Sequence, residues 1–358
     1  MDATGGAPIS LSGAGAPLPA SVLEQIGQDL TDWNGSGRSI LTVPFTEPAF
    51  RELMADAEVR LRRLLEVPDA YHVLFLQGGA YAHSALAAHN VPPSKEPVDF
   101  VVAGHWSRRA LDETRRVRPV RVAVEALRGT GWPPPESWRL NPEAPYSHVT
   151  TAETAEGVQH HGLPETGAPW VADMTADFLT RPIDVRAYGL IYASAQKNLG
   201  IPGLTVVIAR EDFLHPSPDV PTVFNYTQQA TSSSRVNTPP TFAIYVARLV
   251  LEWLEANGGV TGAAARARQR SALLYRVLDR CPCYTAPVAV ENRSHVTVRF
   301  HLSDPEAEER LLAEARRRGL LNLEGHPAVG GLRVALYNTV PDEAVERLAT
   351  CLEDFAEP

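Results

Sequence analysis

Lysine is almost missing from this 358-residue chain: two lysines, Lys95 and Lys197, stand among 33 basic residues, the rest arginine. Arginine keeps its proton and serves badly as a nucleophile or proton carrier, so any chemistry that needs a side-chain amine has two candidates. Cysteine is scarce too. Cys281, Cys283 and Cys351 are too few and too unevenly spaced for a disulfide framework, and the single residue between Cys281 and Cys283 does not match common redox or zinc spacings. No apolar run reaches membrane-spanning length. The opening twenty residues lack the basic stretch and apolar core of a secretion signal, so the expected compartment is the cytoplasm. Excess positive charge is absent as well: the net charge is −9, which argues against a nucleic-acid surface. The histidines are scattered and no carboxylates stand at ligand spacing, so no metal site is expected.

What is present is an ordinary globular composition, 44% hydrophobic and 21% charged, in a chain long enough for two domains. Residues 1–20 read as an irregular Gly/Ala/Pro arm. Residues 21–33, with Ser21 as N-cap, and 47–66 have helical spacing. Short β-rich runs follow at 71–77, 98–104, 144–154, 169–175, 188–196 and 203–210, with helical segments between several of them. That alternation predicts an α/β core with a mainly parallel sheet. Two helical stretches cover about 240–280. The remainder alternates strand and helix, as in a smaller α+β domain. The expected division is an arm (1–20), a large domain (21–260) and a small C-terminal domain (261–358).

Four features carry chemistry. Lys197 ends the apolar run 188–196, an unusual place for one of only two lysines; Lys95 lies in a polar, proline-bounded turn. Asp173 ends the run 169–175, where a carboxylate can face a crevice at the sheet's end, and Asp177 competes for that role. Gly78-Gly79-Ala80 joins a strand to a helix, the layout of an anion site or of a plain turn. Trp106 follows the next strand, either to stack on a ligand or to fill the core. Together they meet the needs of a pyridoxal-phosphate (PLP) enzyme: an amine to bear the cofactor, an acid against its ring nitrogen, backbone donors for its phosphate and an aromatic plane over its ring.

The segment 181–214, around Lys197, resembles the lysine-bearing segment of the phosphoserine aminotransferases, which are fold-type I, class V PLP enzymes. Residues 236–260, 326–338, 146–158 and 12–40 resemble further segments of that family in the same order, so the resemblance spans nearly the whole chain. It implies that Lys197 carries PLP as an internal aldimine and shuttles the Cα proton. Asp173 would pair the ring nitrogen and Trp106 would stack on the ring. Gly79, Ala80 and Tyr81, with Thr154 and Gln196, would hold the phosphate. Asn237 and Thr238 would reach the cofactor of a second subunit, so a homodimer is implied. Arg333 would clamp the substrate α-carboxylate. Amino-acid and 2-oxo-acid substrates follow, with glutamate and 2-oxoglutarate as the usual pair.

The match departs from the family in one respect. Where the family carries Ser-His-Arg, Pro44-Phe45-Thr46 stands here; Tyr81 stands where an arginine or a short polar residue is usual; and the family's His-Arg becomes His326-Pro327. A smaller departure puts Ala152 in place of an asparagine. The expectation is a diverged paralogue whose substrate pocket, bordered by Phe45, Thr46, Tyr81 and His326, no longer takes a phosphate. Compensation by Arg38, Arg235 or another arginine would leave a genuine phosphoserine aminotransferase. A different PLP reaction (elimination, decarboxylation or cyclisation) would use the same Lys197 and Asp173, and a non-catalytic nucleotide-binding α/β protein is the reading from another class.

Overall fold

Seven strands form the central sheet of the computed structural model, which describes residues 7–126 and 131–356. In chain order they are β1 (Tyr71–Leu76), β2 (Val98–Val102), β3 (Val120–Glu125), β4 (Ser147–Thr150), β5 (Trp170–Asp173), β6 (Tyr188–Ser194) and β7 (Thr205–Arg210). Their spatial order is β1-β7-β6-β5-β4-β2-β3. β7 runs antiparallel to both neighbours, and every other pairing is parallel. β2, β4 and β6 are buried at every position, as strands covered on both faces must be. β3, which the sequence reading did not anticipate, alternates valine with charged residues and lies half exposed at the sheet edge, where charge blunts unwanted pairing.

The topology gathers the carboxyl ends of β1, β2, β4, β5 and β6 along one rim. Antiparallel β7 brings its amino end, after Gly203 and Leu204, to the same rim. Crevices at the strand carboxyl ends are where open α/β sheets place ligands. The helices Gly79–Asn90 and His105–Arg115 start from this rim.

A second core surrounds a small antiparallel sheet, with Thr297–Leu302 between Tyr284–Thr285 and Leu332–Ala335. The helices Gly259–Arg280, Pro305–Arg317 and Asp342–Ala356 cover it. The two helices expected over 240–280 are Thr241–Ala256 and Gly259–Arg280, broken where Gly258 and Gly259 both take positive φ.

Two expectations need correction. The helix expected from Ser21 starts at Ala20, so Ser21 lies inside the first turn and Pro19, which makes no side-chain cap, precedes the helix. The arm is also not irregular throughout: Ile9–Ser10 pairs in parallel with Leu320–Leu321, and Leu11 is fully buried in the second core. Residues 1–6 of the arm lie outside the described residues. Among the described residues no helix is long and apolar enough to cross a membrane, and all three cysteines are free.

Candidate active site

A cavity of about 580 Å³ opens at the rim where the strand ends converge. Lys197 forms part of its floor, three residues past the end of β6, with only 8% of the residue exposed. Its Nζ lies 3.5 Å from the Thr154 hydroxyl and about 6 Å from the ring centres of Trp106 and Tyr337. Burial pulls the amine down to about 8; the Asp173 carboxylate opposes that shift and the Arg333 charge adds to it. The lysine is therefore substantially neutral at a pH where an ordinary lysine is almost wholly charged.

Asp173, the last residue of β5, faces the same cavity. Burial raises its carboxyl, while Thr175, whose backbone N–H donates to Oδ1 at 2.9 Å, and the Lys197 charge hold it down. The competing Asp177 is turned inward instead. It accepts from the Thr151 hydroxyl, from Gln159 at 3.2 Å and from Arg181 at 3.2 Å, and it does not line the cavity.

Trp106 stands one residue inside the helix His105–Arg115, and its indole N–H donates to the Thr154 hydroxyl at 3.0 Å. Glu153, fully buried, accepts the backbone N–H groups of Trp106 (2.9 Å) and Ser107 (2.8 Å), and Glu156 accepts that of His105 (2.9 Å). Two carboxylates thus satisfy the orphan donors of the helix start and fix the place of Trp106. Burial and the neighbouring Glu156 push the Glu153 carboxyl up, against the pull of those donors.

The first turn of the helix Gly79–Asn90 opens onto the cavity with Gly79, Ala80 and Tyr81. Gly78 and Gly79 take φ of 113° and 70°, a left-handed pair that side chains resist and that turns β1 sharply into the helix. The Ala80 N–H donates to Ser194 Oγ at 2.7 Å. Gln196 and Ser194 complete this wall.

At the other side, Arg333 donates to the Thr154 carbonyl at 3.1 Å, while its buried Nε has no hydrogen-bond partner. The arm lies directly over it. A Cβ on Gly13 would come within 2.5 Å of the Arg333 guanidinium, so a larger residue there would displace that side chain. The Tyr337 hydroxyl donates to the Gly13 carbonyl (2.8 Å) and the Ala16 N–H to the Gln196 carbonyl (2.9 Å), which fasten the arm across the cavity. His326 sits at the mouth, 4.5 Å from the His105 ring and 5.6 Å from Trp106.

Nine expected site residues therefore line one cavity: Gly79, Ala80, Tyr81, Trp106, Asp173, Gln196, Lys197, His326 and Arg333. Thr154 stands just behind the wall, joined to Trp106 and Lys197. Four do not come together with them in this single chain. Asn237 and Thr238 are exposed, with the Thr238 carbonyl accepting from Gln77 at 3.4 Å. Phe45 packs half-buried against the large core and Thr46 is exposed. The sequence reading missed Gly13, Thr175, Ser194, Tyr337 and Arg109. Arg109 alone left a signal: it lies three residues after Trp106 on a helix and so shares its face.

This cavity is one into which PLP fits. It has a buried, partly neutral amine, a facing carboxylate, an indole plane and a helix start suited to a phosphate. Fold and cavity together define a class-V aminotransferase, and the family model for aminotransferase class-V matches residues 10–348. The chain belongs to the phosphoserine aminotransferase family within that class, whose cofactor is pyridoxal 5′-phosphate. It is 44% identical to the phosphoserine aminotransferase of Laribacter hongkongensis over 97% of this chain and 98% of that one. It is also 44% identical to that of Azotobacter vinelandii, over 95% of each. The structure of phosphoserine aminotransferase from Bacillus circulans subsp. alkalophilus superposes with a TM-score of 0.93 at 36% identity, covering 96% of this chain and 97% of that one. The PLP-bound phosphoserine aminotransferase of Trichomonas vaginalis superposes with a TM-score of 0.92 at 32% identity, covering 96% and 99%.

Proposed function

We propose that this PLP-dependent aminotransferase exchanges the amino group between glutamate/2-oxoglutarate and a second amino acid and oxo acid pair, in a pocket altered from the family's phosphate site. The observation that carries the amino-transfer reading is Lys197: one of two lysines, buried on the cavity floor, with its amine drawn down to about 8. PLP bound there supplies an electron-withdrawing ring that stabilises the charge left when the substrate Cα loses its proton. Lys197 would hold the cofactor and, once free, carry that proton, a role its lowered basicity suits. The Asp173 carboxylate would favour a protonated ring nitrogen by its charge. Trp106 would shield the ring from water. Gly79, Ala80, Tyr81, Thr154 and Gln196 would hold the phosphate from this chain. Asn237 and Thr238, exposed and away from their own cavity, are free to do so for a second copy in a cytoplasmic homodimer. Arg333, with its unpartnered Nε, takes the α-carboxylate as a fork. The chain would divide into an arm (1–20), a large domain (21–260) and a small domain (261–358), from which Gly13, Lys197 and Arg333 respectively line the cavity.

The altered-pocket reading rests on Phe45, Thr46 and Pro327 standing where the family has cationic or imidazole partners, and on Tyr81 where it has an arginine or a short polar residue. Charge-assisted hydrogen bonds contribute about 1.5–3 kcal/mol each, so losing two or three weakens a phosphate substrate by a few powers of ten. The second reading, phosphoserine itself as substrate, is favoured by the 44% identity to a phosphoserine aminotransferase over nearly its full length. Mixing the PLP-loaded protein with L-glutamate, and separately with O-phospho-L-serine, decides between them. Glutamate is expected to convert the lysine-bound cofactor to its amine form at least a hundredfold more efficiently than phosphoserine (roughly two lost bonds). Comparable efficiency would establish the second reading.

A further inference from the structure

Besides His326, four acidic or basic side chains line the cavity: Asp173, Lys197, Arg333 and Arg109. The first two belong to the cofactor in the reading above. Among the described residues neither arginine forms an ion pair, and the one carboxylate in the lining, Asp173, belongs to the cofactor in that reading. A cavity that presents two unpaired guanidinium groups suits a ligand with two anionic ends.

Arg109 is held by aromatic contact. Its guanidinium carbon lies 4.1 Å from the ring centre of Tyr81 and 5.7 Å from that of Trp106. Tyr81 is braced in turn, because its hydroxyl donates to Glu113 Oε1 at 2.8 Å, one helical turn beyond Arg109. Among the described residues Arg109 has no hydrogen-bond or ion-pair partner, unlike Arg108 beside it, which pairs with Glu125. The stacked guanidinium therefore keeps its N–H donors for a ligand. Its field also reaches His326 at the mouth. Burial first, then His105, Arg333 and Arg109, holds that imidazole below its usual basicity.

We infer that Arg109, stacked on Tyr81, is the specificity residue that binds the distal carboxylate of the dicarboxylic pair proposed above. The inference rests on the cavity being the amino-transfer site. One guanidinium neutralises one carboxylate, whereas the second charge of a phosphate dianion would find no further arginine in the lining once Arg333 holds the α-carboxylate. Tyr81 then does not merely replace a charge; it provides the platform on which a charge from the next helix is displayed.

The test uses the PLP-loaded enzyme and calorimetric titration with glutarate, butyrate and 3-phosphoglycerate. Wild type should bind glutarate more tightly than either. Arg109→Gln should weaken glutarate about ten- to hundredfold and butyrate less than about twofold, lowering the preference for two carboxylates. Arg109→Lys, which keeps the charge without the fork, should recover part of the loss. Unchanged glutarate affinity in Arg109→Gln would overturn the inference. So would tighter wild-type binding of 3-phosphoglycerate, or loss of PLP from Arg109→Gln, which would place Arg109 on the cofactor phosphate. Failure of the wild type to transfer an amino group from glutamate would overturn the amino-transfer reading instead, and glutarate binding would tell the two failures apart.

Discussion

The inner end of the cavity and its mouth are built in different ways. Inside, Asp173 ends a strand and Lys197 follows one by three residues. Lys197 is buried and Asp173 half-buried, and each is bounded by groups that hydrogen-bond one another: Thr175 to Asp173, Thr154 to Trp106 and Lys197. Their positions follow from the sheet. At the mouth, Tyr81, Arg109 and His326 come from two helix starts and a loop of the small unit, and they meet through ring contacts. Tyr81 is 49% exposed. An end fixed by strand termini can keep one chemistry while a mouth made of side chains on separate elements changes its ligand. That is the pattern expected of a fold that hosts many functions through its loops.

The comparison can be broken at either end. The largest effect belongs inside. Asp173→Asn keeps the shape and removes the charge that favours a protonated ring nitrogen, and kcat for amino transfer should fall about a hundredfold or more. Steady-state rates with glutamate, with PLP occupancy followed by absorbance, check this, and a rate within a few fold of wild type would remove Asp173 from the chemistry. At the mouth the effects are smaller and fall on selectivity. Arg109→Gln comes next, through its glutarate affinity. The smallest is a gain: Phe45→His with Thr46→Arg, which puts back the side chains the family carries there, should raise the preference for phosphoserine over glutamate by about tenfold, the worth of one charge-assisted bond. A ratio of kcat/KM values that does not move would show that this loop does not border the substrate.

The inner end was legible in the sequence because a lysine or aspartate at the end of an apolar strand breaks a strong pattern. Six of the seven sheet strands stood out as apolar runs. β3 did not, because an edge strand half in water mixes arginine and glutamate with its valines. The arm was the largest omission. Gly13 over Arg333 and Ile9–Ser10 beside Leu320–Leu321 are contacts across some three hundred residues, and no local periodicity foretells them. Arg109 was overlooked for a different reason: in a chain so rich in arginine, one more on an amphipathic helix reads as a solvated face. Only the ring of Tyr81, 28 positions earlier, marks it out. Phe45, Thr46, Asn237 and Thr238 rest on the resemblance, and in one chain they stand apart from the cavity.

The account stands on Lys197 as the bearer of the cofactor, and the low lysine count makes a direct test simple. Borohydride reduction of the PLP-loaded protein fixes the cofactor to whichever amine holds it, and peptide mapping by mass then reads the position. The account predicts the added cofactor mass on the peptide containing Lys197, in proportion to PLP occupancy. Cofactor mass on the Lys95 peptide, or on neither lysine in a fully loaded sample, would contradict it.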